Sequence, residues 1–149
     1  MTHNEMEEYK FGLCRFVKAQ DGVYQSALNE LTEGRKRSHW MWYIFPQLKQ
    51  LGYSYNSKYY GISGRDEATA YLEDPILGPR LREVSEANLA LPTDDAREVF
   101  GGIDSMKLRS SMTLFDAVAP ADIFARVIDK YFRGRRDQRT LTLIAAATE

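Results

Sequence analysis

Two segments of the sequence carry side chains with the chemistry to bind a small molecule. The first, the aromatic segment, spans residues 38–47 and reads SHWMWYIFPQ. On a helical wheel its apolar run covers every side, so the run must either be buried as a core helix or line a pocket. In the pocket alternative, Trp40 and Trp42 stack on a planar ligand such as a nucleobase. His39 and Gln47 then supply hydrogen bonds at the two ends of the segment.

The second segment, residues 104–115, reads DSMKLRSSMTLF. At about 100° per residue its apolar side chains form one arc, and Lys107 and Ser111 fall inside that arc. Arg109, Thr113 and Asp116 fall on the opposite face, which we expect to be wetter. A lysine in an apolar stripe needs a partner, because unpaired burial of a charge is expensive. It either pairs with a protein carboxylate, snorkels to water, or binds the oxyanion of a ligand such as a phosphate.

Other kinds of site chemistry find little support among the residues. His3, His39 and Cys14 form no metal-binding pattern, and a single cysteine excludes an intramolecular disulfide. We expect Cys14 to be a small buried hydrophobe on the apolar face of its helix. No serine-hydrolase elbow, dinucleotide-binding glycine pattern or P-loop occurs in the sequence. We therefore predict no metal and no cofactor.

The composition is that of an ordinary globular protein. The 149 residues are 44% hydrophobic and carry a net charge of −1, so no overall field attracts nucleic acid or an anionic membrane. We interpret the basic runs at 35–37 and 133–136 as solvated helix ends. The polar, acidic N-terminal residues do not resemble a secretory signal, and no apolar run reaches the ~20 residues that span a bilayer. We expect a cytoplasmic protein with neither a membrane nor a nucleic-acid partner.

The elements that position these side chains are short helices separated by Gly, Pro and capping residues. Three- and four-residue apolar spacing predicts helices over 5–18 and 23–33, the second ending at Gly34. Further helices are predicted between Ser63 and the C-terminus, in this order: 63–72, 75–91, 93–101, 104–118, 120–132 and a last one from residue 137. Only 53–62, with its tyrosines among small residues, could be extended. We predict a compact all-α multihelical single domain, residues 1–149, of about eight short helices.

Several strings resemble a known family. SHWMWYIFPQ, YYGI, EATAYLEDPILGPRL, FGGIDSMKLRSSMTLF and VIDKYFRGRRDQRTL are similar to a bacterial family of uncharacterised small proteins, some of which carry the label calpastatin. The match runs roughly from residue 10 to 144 and implies a multihelical fold. It implies no established activity, substrate or catalytic residue.

A fainter likeness is to the helical NADAR proteins, which are linked to cleavage of N-glycosidic bonds in riboside and ADP-ribose compounds. The likeness lies in the order of an aromatic opening, a helical region and a helix with a basic residue. The Glu-His-Tyr-like string of the NADAR catalytic region is missing here, and residues 57–61, SKYYG, are the nearest equivalent.

The sequence thus predicts a small-molecule-binding protein or enzyme whose pocket lies between the aromatic segment and the Lys107 helix. The expected ligand is an anionic or nucleotide-like molecule, and the NADAR likeness implies an ADP-ribose-like N-glycoside. Asp104, Asp116 and Asp137 are available for catalysis, and their spacing selects none of them. The alternative is a non-enzymatic helical protein–protein interaction module. The predicted ligand-binding residues are His39, Trp40, Trp42, Gln47, Tyr60, Lys107, Ser110 and Ser111.

Overall fold

The computed structural model describes residues 10–147. These residues form ten α-helices and one 3-10 turn: α1 (Cys14–Gln20), α2 (Tyr24–Glu33), α3 (Met41–Ile44), the 3-10 turn (Lys49–Leu51), α4 (Tyr55–Tyr59), α5 (Arg65–Glu73), α6 (Leu77–Ala90), α7 (Ala96–Phe100), α8 (Gly102–Val118), α9 (Ile123–Phe132) and α10 (Gln138–Ala147). No strand occurs within them, and the sole β-type pairing there is an isolated bridge between Leu48 and Ile62. The predicted all-α fold is confirmed. The number of helices exceeds the expected eight because short segments such as α3 and α4 also form helical turns.

The longest helix, α8, lies at the centre of the fold. It packs against α5, α7, α9 and α10, and its residues from Ser110 to Phe115 are all buried. The expectation of a wetter face at Thr113 is therefore wrong. Thr113 is covered by the start of α10, whose Asp137 backbone N–H donates to the Thr113 hydroxyl at 3.0 Å. A helix surrounded on most sides gives its polar side chains few routes to water.

Helix ends follow the predicted punctuation in part. Gly34 ends α2 with φ +88° and donates its N–H to carbonyls of the last turn, as the sequence predicts. The predicted helix over 5–18 is interrupted at Gly12, whose φ is +64°; its residues 5–9 lie outside the described part of the chain. Cys14 is exposed, contrary to the expectation, because α1 begins there after the break.

The segment 53–62, which the sequence allows to be extended, is helical over Tyr55–Tyr59. Ser54 caps α4 by accepting a hydrogen bond from the Ser57 N–H at 3.1 Å. This capping interaction outweighs the strand preference of the tyrosines. Only Ile62 takes part in a β-type pairing, through the bridge to Leu48.

Among residues 10–147, no helix combines the length and the apolar character needed to cross a membrane.

Candidate functional site

A buried carboxylate on α2 holds the start of the aromatic segment. Glu30 is 9% exposed. Its Oε1 accepts the backbone N–H groups of Arg37 and Ser38 and the Trp40 indole N–H at 2.6, 3.0 and 3.1 Å, while Oε2 accepts the Ser38 hydroxyl. Burial by itself would raise the pKa of Glu30, but the hydrogen bonds from Ser38, Arg37 and Trp40 together lower it. Glu30 therefore stays ionised and fixes where α3 begins.

The indole of Trp40 belongs to the core. Trp40 is 0% exposed and its ring meets those of Phe45 and Phe100 at centroid distances of 6.3 and 6.5 Å. The Lys36 ammonium lies 5.0 Å from the indole centroid. No open ring face is left at Trp40 for a ligand, so the structure places this residue as a support beneath the segment.

Four of the predicted binding residues line one narrow slot: Trp42, Gln47, Tyr60 and Lys107. Met41, Phe45 and Ser57 complete its walls. The slot thus lies between α3, α8 and the chain around α4, where the sequence predicts a pocket. Its volume is about 10 Å³, which is room for about one water molecule. In this conformation the slot is closed to anything larger.

The charges beside the slot are unbalanced. The Lys107 Nζ lies 5.4 Å from the Trp42 ring centroid, in the geometry of a cation–π contact, and 3.8 Å from Asp104 Oδ1. The other oxygen of Asp104 pairs with Lys36 at 3.0 Å. The Lys36 side chain is 8% exposed and that of Lys107 is 25% exposed. Two ammonium groups thus share one carboxylate, and Lys107 holds the weaker contact.

One wall of the slot is a loop closed at its base, residues 48–62, which we call the bridge loop. The Ile62 N–H donates to Gln47 O and the Lys49 N–H donates to Ile62 O, both at 2.9 Å. Gly61 permits this closure, because a Cβ there would lie 2.4 Å from the Lys49 Cα. The two ends of the loop are therefore locked together.

A guanidinium from α1 fixes the turn that carries Tyr60. Arg15 donates to the carbonyls of Tyr59 and Gly61 at 2.7 and 3.0 Å. It also pairs with the buried carboxylate of Glu67 at 2.7 Å. Burial, and then the neighbouring Tyr59, raise the pKa of Tyr60. The Tyr60 hydroxyl is therefore neutral at physiological pH and can donate to a ligand in the slot.

The other predicted residues lie away from the slot walls. His39 is exposed at the start of the aromatic segment. Ser110 donates to Met106 O at 3.2 Å within α8. Ser111 is fully buried, and its Oγ has no hydrogen-bond partner among residues 10–147. Lys36, interpreted from the sequence as part of a solvated basic run, is instead buried beside Asp104; no periodic signal in the run 35–37 distinguishes it.

Two larger cavities, each of about 470 Å³, open elsewhere on the surface. One lies between α6 and the start of α9, around Arg82 and Arg126. The other lies between α7, α8 and the end of α9, around Arg97 and Tyr131. Neither includes a predicted site residue. Within the described part of the chain, no three His, Cys, Asp or Glu side chains are grouped to hold a metal ion.

Comparison with known proteins places the chain in a family. It is 46% identical to the conserved hypothetical protein Rv1873 from Mycobacterium tuberculosis, and its structure superposes on that crystal structure with a TM-score of 0.86, covering 91% of this chain and 98% of that one. No curated protein matches. The expected uncharacterised family is confirmed, whereas the calpastatin label and the NADAR likeness gain no support from these matches. The family model described as "Protein of unknown function (DUF1810)" matches residues 10–144, and the chain belongs to that family.

Proposed function

We propose that the protein binds a small anionic molecule of the nucleotide or ADP-ribose type at the slot lined by Trp42, Gln47, Tyr60 and Lys107. The observation that carries the proposal is the excess of positive charge there. Asp104 serves two lysines, and its contact with Lys107 is 3.8 Å long. A phosphate would give Lys107 a much stronger partner.

Entry of a ligand requires the slot to open. Lys107 covers one face of Trp42 and is the most easily moved wall, since a lysine side chain is long and flexible. Moving it away from the indole forfeits a cation–π contact worth about 0.5–1 kcal/mol at a partly exposed site. An anion that draws Lys107 outward offsets this cost. Gln47, Ser57 and Tyr60 then offer neutral hydrogen-bonding groups to the bound molecule.

We further propose that, if the ligand is an N-glycoside, Asp104 is the carboxylate that assists its cleavage. Of the three carboxylates considered from the sequence, Asp104 alone lies beside Lys107. Asp116 pairs with Arg136 at 3.0 Å, and Asp137 accepts the Thr140 N–H at 3.0 Å as the cap of α10. Asp104 would stabilise an oxocarbenium-like centre or activate water.

A thermal-shift titration tests the binding proposal. Pyrophosphate, ADP-ribose and NAD are added to the wild-type chain, to Lys107→Ala and to Lys18→Ala, which removes an exposed lysine on α1 as a matched control. Binding to the native state raises the melting temperature by mass action. We expect shifts in the wild type and the control that Lys107→Ala loses. Equal shifts in all three chains would contradict the proposal.

Product analysis tests the cleavage proposal separately. NAD and ADP-ribose are incubated with the wild-type chain and with Asp104→Asn, and the released base or sugar is quantified. We expect Asp104→Asn to retain binding and to lose turnover by about 100-fold or more, the usual contribution of a positioned acid or base. Unchanged turnover in Asp104→Asn would exclude this role for the carboxylate.

A second candidate function, a protein–protein interaction module, is favoured by one observation. Large apolar or aromatic side chains are exposed at Tyr53, Tyr55, Ile103 and Met106, which are 57–81% accessible. Side chains of this kind are common in interfaces. Self-association measured by sedimentation at several protein concentrations would support this alternative, and the absence of any shift with the ligands above would favour it over the first.

A further inference from the structure

The local charge of the site region differs from that of the whole chain. Residues 34–65 contain six of the 20 basic residues and none of the 21 acidic ones. The net charge of −1 therefore conceals a stretch of 32 residues without a carboxylate. This stretch includes the aromatic segment and the bridge loop, so side-chain carboxylates that would repel an anion are absent from that part of the sequence. The six cations are Arg35, Lys36, Arg37, Lys49, Lys58 and Arg65.

The bridge loop also presents an exposed aromatic surface. Tyr55 and Tyr59, 77% and 47% exposed, stack with centroids 5.8 Å apart and planes inclined by 13°. We call this pair the tyrosine ledge. The edge of the ledge continues to the slot, because Tyr59 meets Tyr60 in a T-shaped contact at 4.8 Å. A line of rings thus leads from the slot to the surface.

The tryptophans predicted to stack on a base are less accessible than the ledge. Trp40 is fully buried, and one face of Trp42 is occupied by the Lys107 ammonium. Tyr55 and Tyr59, by contrast, are the most exposed rings in the line that starts at the slot-lining Tyr60. Lys58 adjoins Tyr59 in sequence, and the Lys49 backbone lies against Gly61. The bridge loop that carries the ledge therefore also carries two exposed lysines.

We infer that the tyrosine ledge is the base-stacking half of the site and that the ligand is an extended nucleoside diphosphate such as ADP-ribose. This inference rests on the proposed anion site at Lys107. The base stacks on the outer face of Tyr55, and the diphosphate runs past Lys58 and Lys49 to Lys107. From Tyr60 to the outer ring there are two ring-to-ring steps of 4.8 and 5.8 Å. A base alone does not cover these two steps, so a ligand that reaches from the ledge to the slot must carry a sugar and phosphate groups beyond the base.

Calorimetric titration of four chains tests the inference. ADP-ribose and pyrophosphate are titrated into the wild type, Tyr55→Ala, Lys107→Ala and Tyr53→Ala, which removes an equally exposed tyrosine outside the stacked pair. We expect Tyr55→Ala to weaken ADP-ribose binding by about 5- to 150-fold, the range for one base–aromatic stack. Pyrophosphate binding should be unchanged by Tyr55→Ala and lost in Lys107→Ala. Tyr53→Ala should bind both ligands like the wild type.

The outcomes separate this inference from the proposed function. If pyrophosphate binds through Lys107 but ADP-ribose gains nothing from Tyr55, the ledge assignment is overturned and the anion site stands. If ADP-ribose depends on Tyr55 while Lys107→Ala has no effect, the ledge stands and the anion site is wrong. If Tyr55→Ala weakens both ligands by the same factor, Tyr55 merely supports the loop and the inference is overturned. A failure of the wild type to bind either ligand overturns both assignments.

Discussion

Replacing Glu30 by alanine should destabilise the protein substantially. The substitution removes the acceptor for the Trp40 indole N–H, which is buried, and for two backbone N–H groups in the 35–40 turn. Leaving a buried donor unsatisfied costs about 1–3 kcal/mol. The two backbone groups lie in exposed residues and regain water, so they add about 1 kcal/mol together. We expect a loss of about 3 kcal/mol in the free energy of unfolding.

Urea unfolding followed by circular dichroism measures this loss, with two comparison variants. Glu30→Gln keeps an acceptor oxygen in place and should lose less than Glu30→Ala. Glu33→Ala removes an exposed carboxylate at the end of the same helix, which pairs at 2.7 Å with Arg37 beyond the helix end; exposed pairs contribute about 0.5 kcal/mol or less. A Glu30→Ala chain as stable as Glu33→Ala would refute the assigned role of the buried carboxylate.

The stability difference between wild type and Glu30→Gln should also depend on pH. The folded-state pKa of Glu30 is lowered by its hydrogen bonds, with burial opposing them. Its contribution to stability is therefore fully present above the unfolded value, about 4.3 for glutamate, and is lost as the pH falls through the lower folded value. The stability difference between wild type and Glu30→Gln should be constant near neutral pH and should shrink only below pH ~4. A difference that shrinks instead above neutral pH would contradict this assignment.

Two further substitutions test what holds the bridge loop. Gly61→Ala should destabilise the protein by about 2 kcal/mol or more, the upper range for overpacking, because the new Cβ would lie 2.4 Å from the Lys49 Cα. Gly64→Ala has open space around the Cβ and should be nearly neutral; equal urea midpoints for the two would contradict the close approach. Arg15→Ala should cost about 3–5 kcal/mol by leaving the Glu67 carboxylate buried without its cation. Arg15→Ala combined with Glu67→Gln should recover part of this, and no recovery would indicate that the carbonyl contacts of Arg15 dominate.

Helix ends could be predicted from the sequence where one residue type is required by the backbone conformation. Gly34 ends α2 as expected, since only glycine adopts φ +88° without strain. The stretch 53–62 could not be predicted, because its tyrosines favour strand and a single capping serine, Ser54, decides for a helical turn. The periodicity over 5–18 predicts Cys14 on the apolar face, but Cys14 is exposed because the break at Gly12 shifts where the helix begins.

Part of the candidate site could be predicted from the sequence, and part depends on contacts between separate helices. Juxtaposing the aromatic segment with the Lys107 helix could be predicted, and Trp42, Gln47, Tyr60 and Lys107 do lie together. The choice between Trp40 and Trp42 could not, because α3 is a single turn of four residues and has no periodicity to read. Glu30, on a different helix, makes that choice by binding the Trp40 indole. Because Glu30 lies outside the aromatic segment, the residues of the segment alone do not reveal which tryptophan it binds.

The closure of the bridge loop has a consequence for how freely the exposed part of the loop can change in sequence. The pairing of Leu48 with Ile62 and the contact at Gly61 fix the two ends of the loop, so the chain between them is anchored regardless of its exposed side chains. Tyr53 and Tyr55 are exposed, and substitutions at such surface positions usually change stability little. The exposed tip of the loop can therefore change in sequence while the pairing at its base and the helical scaffold are kept.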